Sequence, residues 1–394
     1  MIATSVIIWL AAFGSAFQPS GQLDLLKIQT VVLGKGIDHQ CRPSSGRLFG
    51  HGSRTNPAII AGNREYLGQT LGFSEDQLNK ISKQTGSMLT QELGAVEKRV
   101  DWLTKRLDLT ENEMKKMAQK QPTILGLQPD KNLAPKLEYL QTRLLLDDKS
   151  LRKMILSAPS IFACDIEDNI EPTLGWLQQR LNLDNEAVRK MVQKCPLLFC
   201  YSVDANLQPT LDWLQERLGF DNAAVSKIIQ KSPTILGMNV GAIEPKLNWL
   251  QRRLNLSDAA VSKMIQTLPG LLYCDVDDNL EPTLSWLQHR LHLDDADVSN
   301  MIQKMPTLLG CNIDTNLKPT LEFYIDALEN ETLALSMVIN DPSLFGYSLN
   351  NRLKPRLEEA REAGSTIDSA LLRRIAKKTK DQWNASILCQ TSPV

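Results

Sequence analysis

The sequence predicts an all-α protein: an α-solenoid of about eight repeats, each two helices and a 3₁₀ turn, over residues 65–354. Three observations predict it. Pro135, Pro172, Pro209, Pro245, Pro282, Pro319 and Pro355 follow one another at steps of 36 or 37 residues. Pro122, Pro159, Pro196, Pro233, Pro269, Pro306 and Pro342 keep the same steps in a second register. Between the prolines, apolar residues fall three and four apart, and no alternating run of strand type lies between turn signals.

The unit that starts at Pro209 justifies each element in order. Proline is tolerated in a first helical turn, where the backbone N–H groups have no partner, so a first helix is predicted over 209–218. Leu211, Leu214 and Leu218 give it one apolar stripe, and Gly219 ends it. Asp221-Asn222 then opens a second helix over 223–231, striped by Val225, Ile228 and Ile229 and stopped by Pro233. Thr234-Ile235-Leu236-Gly237 is a short apolar turn suited to a 3₁₀ plug in the core, and a polar link leads to residue 244. One helix pair leaves a face bare, so such units stack and need caps. Val100-Asp101-Trp102-Leu103 fits the pattern with Lys98 in place of proline, and the charged segment 355–394 departs from it. These ends are the predicted N-terminal cap and the C-terminal cap with its basic tail.

The start of the chain has a different composition. Ile2 to Phe13 is apolar apart from Thr4 and Ser5, and Gly14-Ser15-Ala16 supplies small residues. Residues 1–16 therefore suit a signal peptide, with a buried N-terminal helix as the other reading. Residues 17–64 carry Lys27, Lys35, Arg42, Arg47, Arg54 and Arg64 against only Asp24 and Asp38, the composition of a transit peptide that is removed or disordered. With Ala16-Phe17-Gln18-Pro19 at the junction, the pair resembles the two-part presequences of algae with secondary plastids, such as diatoms. That resemblance implies a plastid protein; mitochondrial import and secretion are the alternatives.

Several classes of chemistry find no support. There is no GxGxxG, Walker loop, HExxH or GxSxG, so neither an enzyme nor a cofactor is expected. Cys164, Cys200, Cys274 and Cys311 lie at or beside one repeat position that Gly126, Gly237 and Gly310 share; they are predicted to be reduced and buried. The acidic link Asp275-Val276-Asp277-Asp278-Asn279 lacks the glycine and glutamate of a calcium loop, having Leu280 and Trp286 there. Asp278 with Glu281, and Asp168 with Glu171, fit helix capping boxes better.

Each unit thus runs proline, Leu-x-Trp-Leu, then a second helix ending in Lys-x-Pro and a Leu- or Ile-rich turn. Lys194-Cys195-Pro196-Leu197-Leu198, Lys231-Ser232-Pro233-Thr234-Ile235-Leu236 and Lys304-Met305-Pro306-Thr307-Leu308-Leu309 show it. The pattern closely resembles the repeat of the mTERF (mitochondrial transcription termination factor) family. For that family the resemblance implies two α-helices and a 3₁₀ helix per repeat, a half-ring superhelix, organelle targeting and nucleic-acid binding along a basic groove. Members terminate or regulate transcription, and some plastid members act in RNA splicing or ribosomal RNA maturation.

Basic residues recur with the repeat. Arg106, Arg143, Arg180, Arg217, Arg253 and Arg290 hold one place in the first helix, four residues after Trp102, Tyr139, Trp176, Trp213, Trp249 and Trp286. The functional reading is a guanidinium ladder that meets phosphates and positions the protein without reading bases. The structural reading lays each aromatic in the seam between units with the arginine stem over it. Lys116, Lys153, Lys190, Lys227 and Lys263 form a second row. Lys120, Lys194, Lys231 and Lys304 are secondary candidates near the helix ends, where cations also favour the helix dipole.

Charge complicates the assignment, because residues 65–350 carry 29 Lys and Arg against 38 Asp and Glu. A nucleic-acid binder is usually basic, so binding requires the two signs to sort onto different faces. The expected partner is double-stranded DNA in the organelle, with RNA as the alternative and an acidic scaffold for protein partners as a third reading. A monomer without membrane contact in its mature form is expected.

Overall fold

A computed structural model describes residues 56–391, apart from 85–88 and 93, with side chains described up to 385 except at 83 and 84. Residues 1–16, where a signal peptide is expected, and 17–55 of the expected transit peptide lie outside the described residues. Two compact units divide the rest, one up to Asp212 and one from Trp213 onward.

In the unit up to Asp212, α1 (Pro57–Gln69) and α2 (Glu75–Gln84) are followed by helix pairs, α3 (Ala95–Arg106) with α4 (Glu111–Lys120), α5 (Ala134–Arg143) with α6 (Asp148–Ser157), and α7 (Glu171–Leu181) with α8 (Asn185–Lys194). The boundary expected at residue 65 falls inside α1, which Asn63 ties to the segment between α2 and α3 by donating to the carbonyls of Leu89 and Gln91, both at 2.9 Å. α9 (Gln208–Leu218) contains the point of division. From there run α10 (Asn222–Lys231), the pairs α11 (Val240–Leu254) with α12 (Asp258–Thr267), α13 (Glu281–Leu291) with α14 (Asp295–Lys304) and α15 (Lys318–Leu328) with α16 (Glu331–Asn340), then α17 (Lys354–Glu362), α18 (Ser369–Lys377) and α19 (Lys380–Thr391). No strand occurs among the described residues, and the α-solenoid predicted from the proline ladders is the fold.

The pair α7 and α8 explains the rest. Leu174, Leu177 and Leu181 of α7 are buried against Val188, Met191 and Val192 of α8. Asp184 caps α8 by accepting from the Ala187 N–H at 2.7 Å; Asp147, Asp221, Ser257, Asp294 and Asn330 do the same in other repeats. Cys195, just before Pro196, is pushed to φ −136 and ψ 77, which ends α8. The 3₁₀ turn Pro196–Cys200 then inserts Leu198 and Phe199, both fully buried. Within the unit up to Asp212, the 3₁₀ turn Pro159–Ala163 packs on both Pro122–Gly126 and Pro196–Cys200. Within that unit the turns therefore stack as a third row beside the two rows of helices; the sequence predicts the 3₁₀ plugs, and their stacking is a finding of the structure.

The polar link is a finding rather than a prediction: it is helical. Residues such as Val203–Leu207 make one wide π turn that feeds directly into the first helix. Pro209 has no N–H and its ring crowds the carbonyl four residues back, so an extra residue is accommodated just before it, where the Gln208 N–H reaches the Val203 carbonyl. Leu207 is fully buried and anchors the turn. The π turn is one residue of excess length. The step from a 3₁₀ proline to the next helix proline is 13 residues everywhere except from Pro233 to Pro245, where it is 12. There the excess vanishes and α11 runs straight through Pro245. The caps also correct the sequence reading. Asp165 and Asp275 accept from the backbone N–H groups at 167–168 and 277–278, while Glu171 and Glu281 turn to other partners described below.

Between the two helices of a pair the chain passes through the left-handed region, at Asp108, Leu145, Asn182, Gly219, Asn255, His292 and Glu329. Leu145 stands apart, with φ 49 and 77% of its surface exposed. A leucine there is strained and buries little, whereas asparagine serves at the same place in two other repeats. Leu145→Asn should stabilise its unit by about 0.5–1 kcal/mol in a urea titration. A loss of stability instead would show that the leucine makes a contact that outweighs its strain.

Candidate nucleic-acid interface

All six ladder arginines project from the last turn of a first helix, and each reaches across to the next repeat. In the unit up to Asp212, Arg106 meets Asp148 at 3.3 Å, Arg143 meets Glu171 at 3.0 Å and Arg180 meets Asp212 at 3.3 Å. In the unit from Trp213, Arg217 meets Glu244 at 2.8 Å and Asp258 at 3.0 Å. Arg253 meets Glu281 and Asp295, both at 3.0 Å, and Arg290 meets Glu331 at 2.7 Å.

The arrangement is a repeating clamp. One carboxylate comes from the residue just before the proline of the next first helix (Glu171, Glu244, Glu281), which opens the helix at Glu171 and Glu281 and lies one turn inside it at Glu244. A second acceptor is the first residue of the next second helix (Asp148, Asn185, Asp258, Asp295, Glu331), where a negative charge also suits the helix dipole. A glutamine joins them: Gln251 accepts from Arg217 at 2.8 Å and donates to Asp258 at 2.7 Å, and Gln288 repeats this with Arg253 and Asp295. The hydrogen bond to Glu171 raises the pKa of Arg143, and the bond from Arg143 lowers that of Glu171. Arg217 and Arg253 are raised the same way by Glu244 and Glu281.

The aromatics share these acceptors. Tyr139 donates its hydroxyl to Glu171, and burial together with that bond pushes the hydroxyl pKa up to about 12. Trp176 donates Nε1 to Gln208 at 2.8 Å. Each ladder aromatic is partly buried. The bonds of Tyr139 and Trp176 match the structural reading of this position.

Of the secondary candidates, Lys120 donates to the carbonyl of Ser157 and Lys231 to that of Thr267 at 2.9 Å. Each thus satisfies the open C-terminal end of the next second helix. Burial lowers the pKa of both ammonium groups. Lys194 and Lys304 hold the same repeat position and are exposed.

The remaining lysine row faces solvent. Lys116, Lys153 and Lys190 in one unit, and Lys227 and Lys263 in the other, are all exposed. Lys190 shares Glu186 at 3.2 Å. From α4 to α14, every acidic residue of a second helix lies in its first three positions, and the lysines of this row follow in the second half. Acids therefore lie at the start of these helices, toward the arginine clamps, and the row lysines lie beyond them; α10 has no acid, α14 has Asn300 at the row position, and Lys149 stands second in α6.

Sequence reasoning missed two sets of residues. The clamp glutamines were visible as Gln141, Gln178, Gln215, Gln251 and Gln288, always two residues before the arginine. A position one residue after the helix proline, buried in most repeats and half-buried at Lys246, was also visible. It holds Lys136 and Lys246, which donate to the carbonyls of Phe162 and Leu272 at 2.7 and 2.8 Å, and elsewhere Thr173, Thr210, Thr283 and Thr320.

No helix among the described residues is long and apolar enough to cross a membrane. A search of curated proteins finds no match. The model of the mTERF family, by contrast, matches residues 54–145, 142–217 and 214–383. Those three segments cover most of the sequence and coincide with the paired helices and stacked 3₁₀ turns, so the chain belongs to the mTERF family of organellar, nucleic-acid-binding helical-repeat proteins.

Proposed function

We propose that this protein binds double-stranded DNA in the plastid and there terminates or regulates transcription, acting by binding alone. The observation that carries the reading is the sorting of charge along the second helices. It bears on the acidic balance of 29 against 38, because many of the carboxylates are engaged within the array, by arginines of the preceding repeat or as helix caps. The solvent-facing lysines are left as the phosphate contacts, and the ladder arginines, still partly exposed, adjoin them.

Duplex is favoured over single strands by the aromatics. Proteins that hold single strands stack bases on exposed rings. Here Tyr139 and Trp176 point into seams and spend their polar atoms on Glu171 and Gln208. Neighbouring helices pack about 8–10 Å apart, so a lysine per repeat meets a strand at about every third phosphate. Such contacts hold the backbone and leave sequence preference to other groups. Plastid import rests on the composition of residues 1–64 and the Ala16-Phe17 junction; mitochondrial import is the other outcome of a localisation experiment with a fluorescent fusion.

Mature protein should bind random duplex at low salt, with log K falling linearly against log salt at about 0.9 per phosphate contact. Unlabelled duplex should compete better than single-stranded RNA of the same length. Preference for the RNA would move the protein to the RNA-processing branch, and no binding to either at low salt would leave the protein-scaffold reading.

A further inference from the structure

In two places the fifth residue of a 3₁₀ turn, counted from its proline, lies against the second residue of the turn before it. Thr234 and Tyr273 hydrogen-bond through their hydroxyls in this register, and Cys200 Sγ lies 3.3 Å from Ser160 Oγ. The residue just past the earlier turn lies in the same place, and there Cys164 Sγ is 3.4 Å from Cys200 Sγ. Cys274 and Cys311 hold the position of Cys164, but Gly310 and Gly346 follow them where Cys200 would be needed. The repeat brings two thiols together at this place because two cysteines fall one position apart in consecutive turns.

A buried ammonium stands beside the pair. Lys136, with 9% of its surface exposed, donates to the Phe162 carbonyl at 2.7 Å and interacts electrostatically with both thiols and with Asp165. A neighbouring cation works against the burial that otherwise holds a thiol protonated, and the thiolate is the reactive form. Cys200 is 9% exposed and Cys164 2%, so the first attack falls to Cys200.

We propose that Cys164 and Cys200 are an oxidisable pair, a disulfide modification site that staples two consecutive repeats when a low-molecular-weight disulfide supplies the oxidising equivalent. Cys200 loses its proton to solvent and its thiolate attacks one sulfur of the small disulfide. A mixed disulfide forms, and the first small thiolate leaves and takes up a proton. Cys164, deprotonated in turn, attacks the Cys200 sulfur and expels the second small thiol. Two protein thiols become one disulfide and the small disulfide becomes two thiols. The bond needs the sulfurs to close from 3.4 Å to about 2.05 Å, a side-chain rotation within one compact unit.

Full-length protein would be incubated with glutathione disulfide, blocked with an alkylating agent, digested and mapped by mass spectrometry. The expected product is a Cys164–Cys200 cross-linked peptide, two hydrogens lighter than the sum of its parts. It should come with a rise in Tm that dithiothreitol reverses. Cys195 is a control in the same unit, since burial pushes its thiol up to about 12, and it should stay unmodified. Cys164→Ala should trap the glutathione adduct on Cys200. In the unsubstituted protein, a stable adduct on Cys200 with Cys164 still open to alkylation overturns the proposal. So does protein in which neither thiol reacts until it is unfolded.

Discussion

Trp383→Ala should destabilise the unit from Trp213 onward by about 3–5 kcal/mol, read from the midpoint of urea unfolding. Trp383 is only 1% exposed and is among the largest fully buried side chains. Its Nε1 donates to Glu359 at 2.5 Å, and the guanidinium of Arg356 lies 5.6 Å from the ring centroid. Arg356 is itself buried and donates to the carbonyls of Ile375 and Lys378 at 2.8 and 2.7 Å, which closes the C-terminal end of α18. Burial lowers its pKa, with the like charge of Arg352 adding to the effect. Removing the indole opens a cavity and uncovers a buried charge at once, two costs that add. Trp383→Phe keeps most of the apolar area and loses the hydrogen bond, so about 1–2 kcal/mol is expected. An alanine variant within about 1 kcal/mol of the parent would show that this ring does not plug the end of the array.

That tryptophan lies in a stretch whose sequence is dominated by Arg373-Arg374 and Lys377-Lys378, which is why it reads as a basic tail. The charges sit on one side of α18, while Leu371, Leu372, Ile375 and Ala376 are buried on the other. The repeating elements were legible because one spacing error would have displaced a whole ladder; Pro209, Gly219, Asp221 and Pro233 each mark a helix end that the structure has. The π turn was not legible as helix, since five polar-looking residues carry too little periodicity. Its signature lay in one fixed pair. Asn132, Asn169, Asn206 and Asn279 each accept from a backbone N–H four residues earlier, and the next residue is a fully buried Leu or Ile. Glu171 and Glu281 were misplaced as cap partners for a related reason. Capping is a local pattern, whereas their arginines lie 28 residues away in sequence and one repeat away in space. For the candidate site, the sequence located the arginines and lysines but could not say which cations were already neutralised.

That difference can be measured by exchanging the two rows separately. Replacing Lys116, Lys153 and Lys190 with glutamine should weaken duplex binding and make the slope of log K against log salt shallower by about 0.9 for each phosphate that is no longer neutralised. Exposed lysines contribute little to folding, so the unfolding midpoint should move by no more than about 0.5 kcal/mol. Arg217→Gln with Arg253→Gln should behave in the opposite way. Their side chains are 18% and 21% exposed and their main partners Glu244 and Glu281 are 35% and 38% exposed, so screening is incomplete. Each exchange leaves a partly buried carboxylate without its cation and should cost about 1–2 kcal/mol of stability. A charge-neutralising exchange of Glu281 to Gln alongside Arg253→Gln should recover part of that loss, because the unpaired charge is removed with its partner. Binding by the arginine variant, measured where it is still folded, should fall less than in the lysine variant. The reverse pattern, full stability with abolished binding in the arginine variant, would mean that the guanidinium groups leave their carboxylates for phosphates. The lysine row would then be no more than a solvated face.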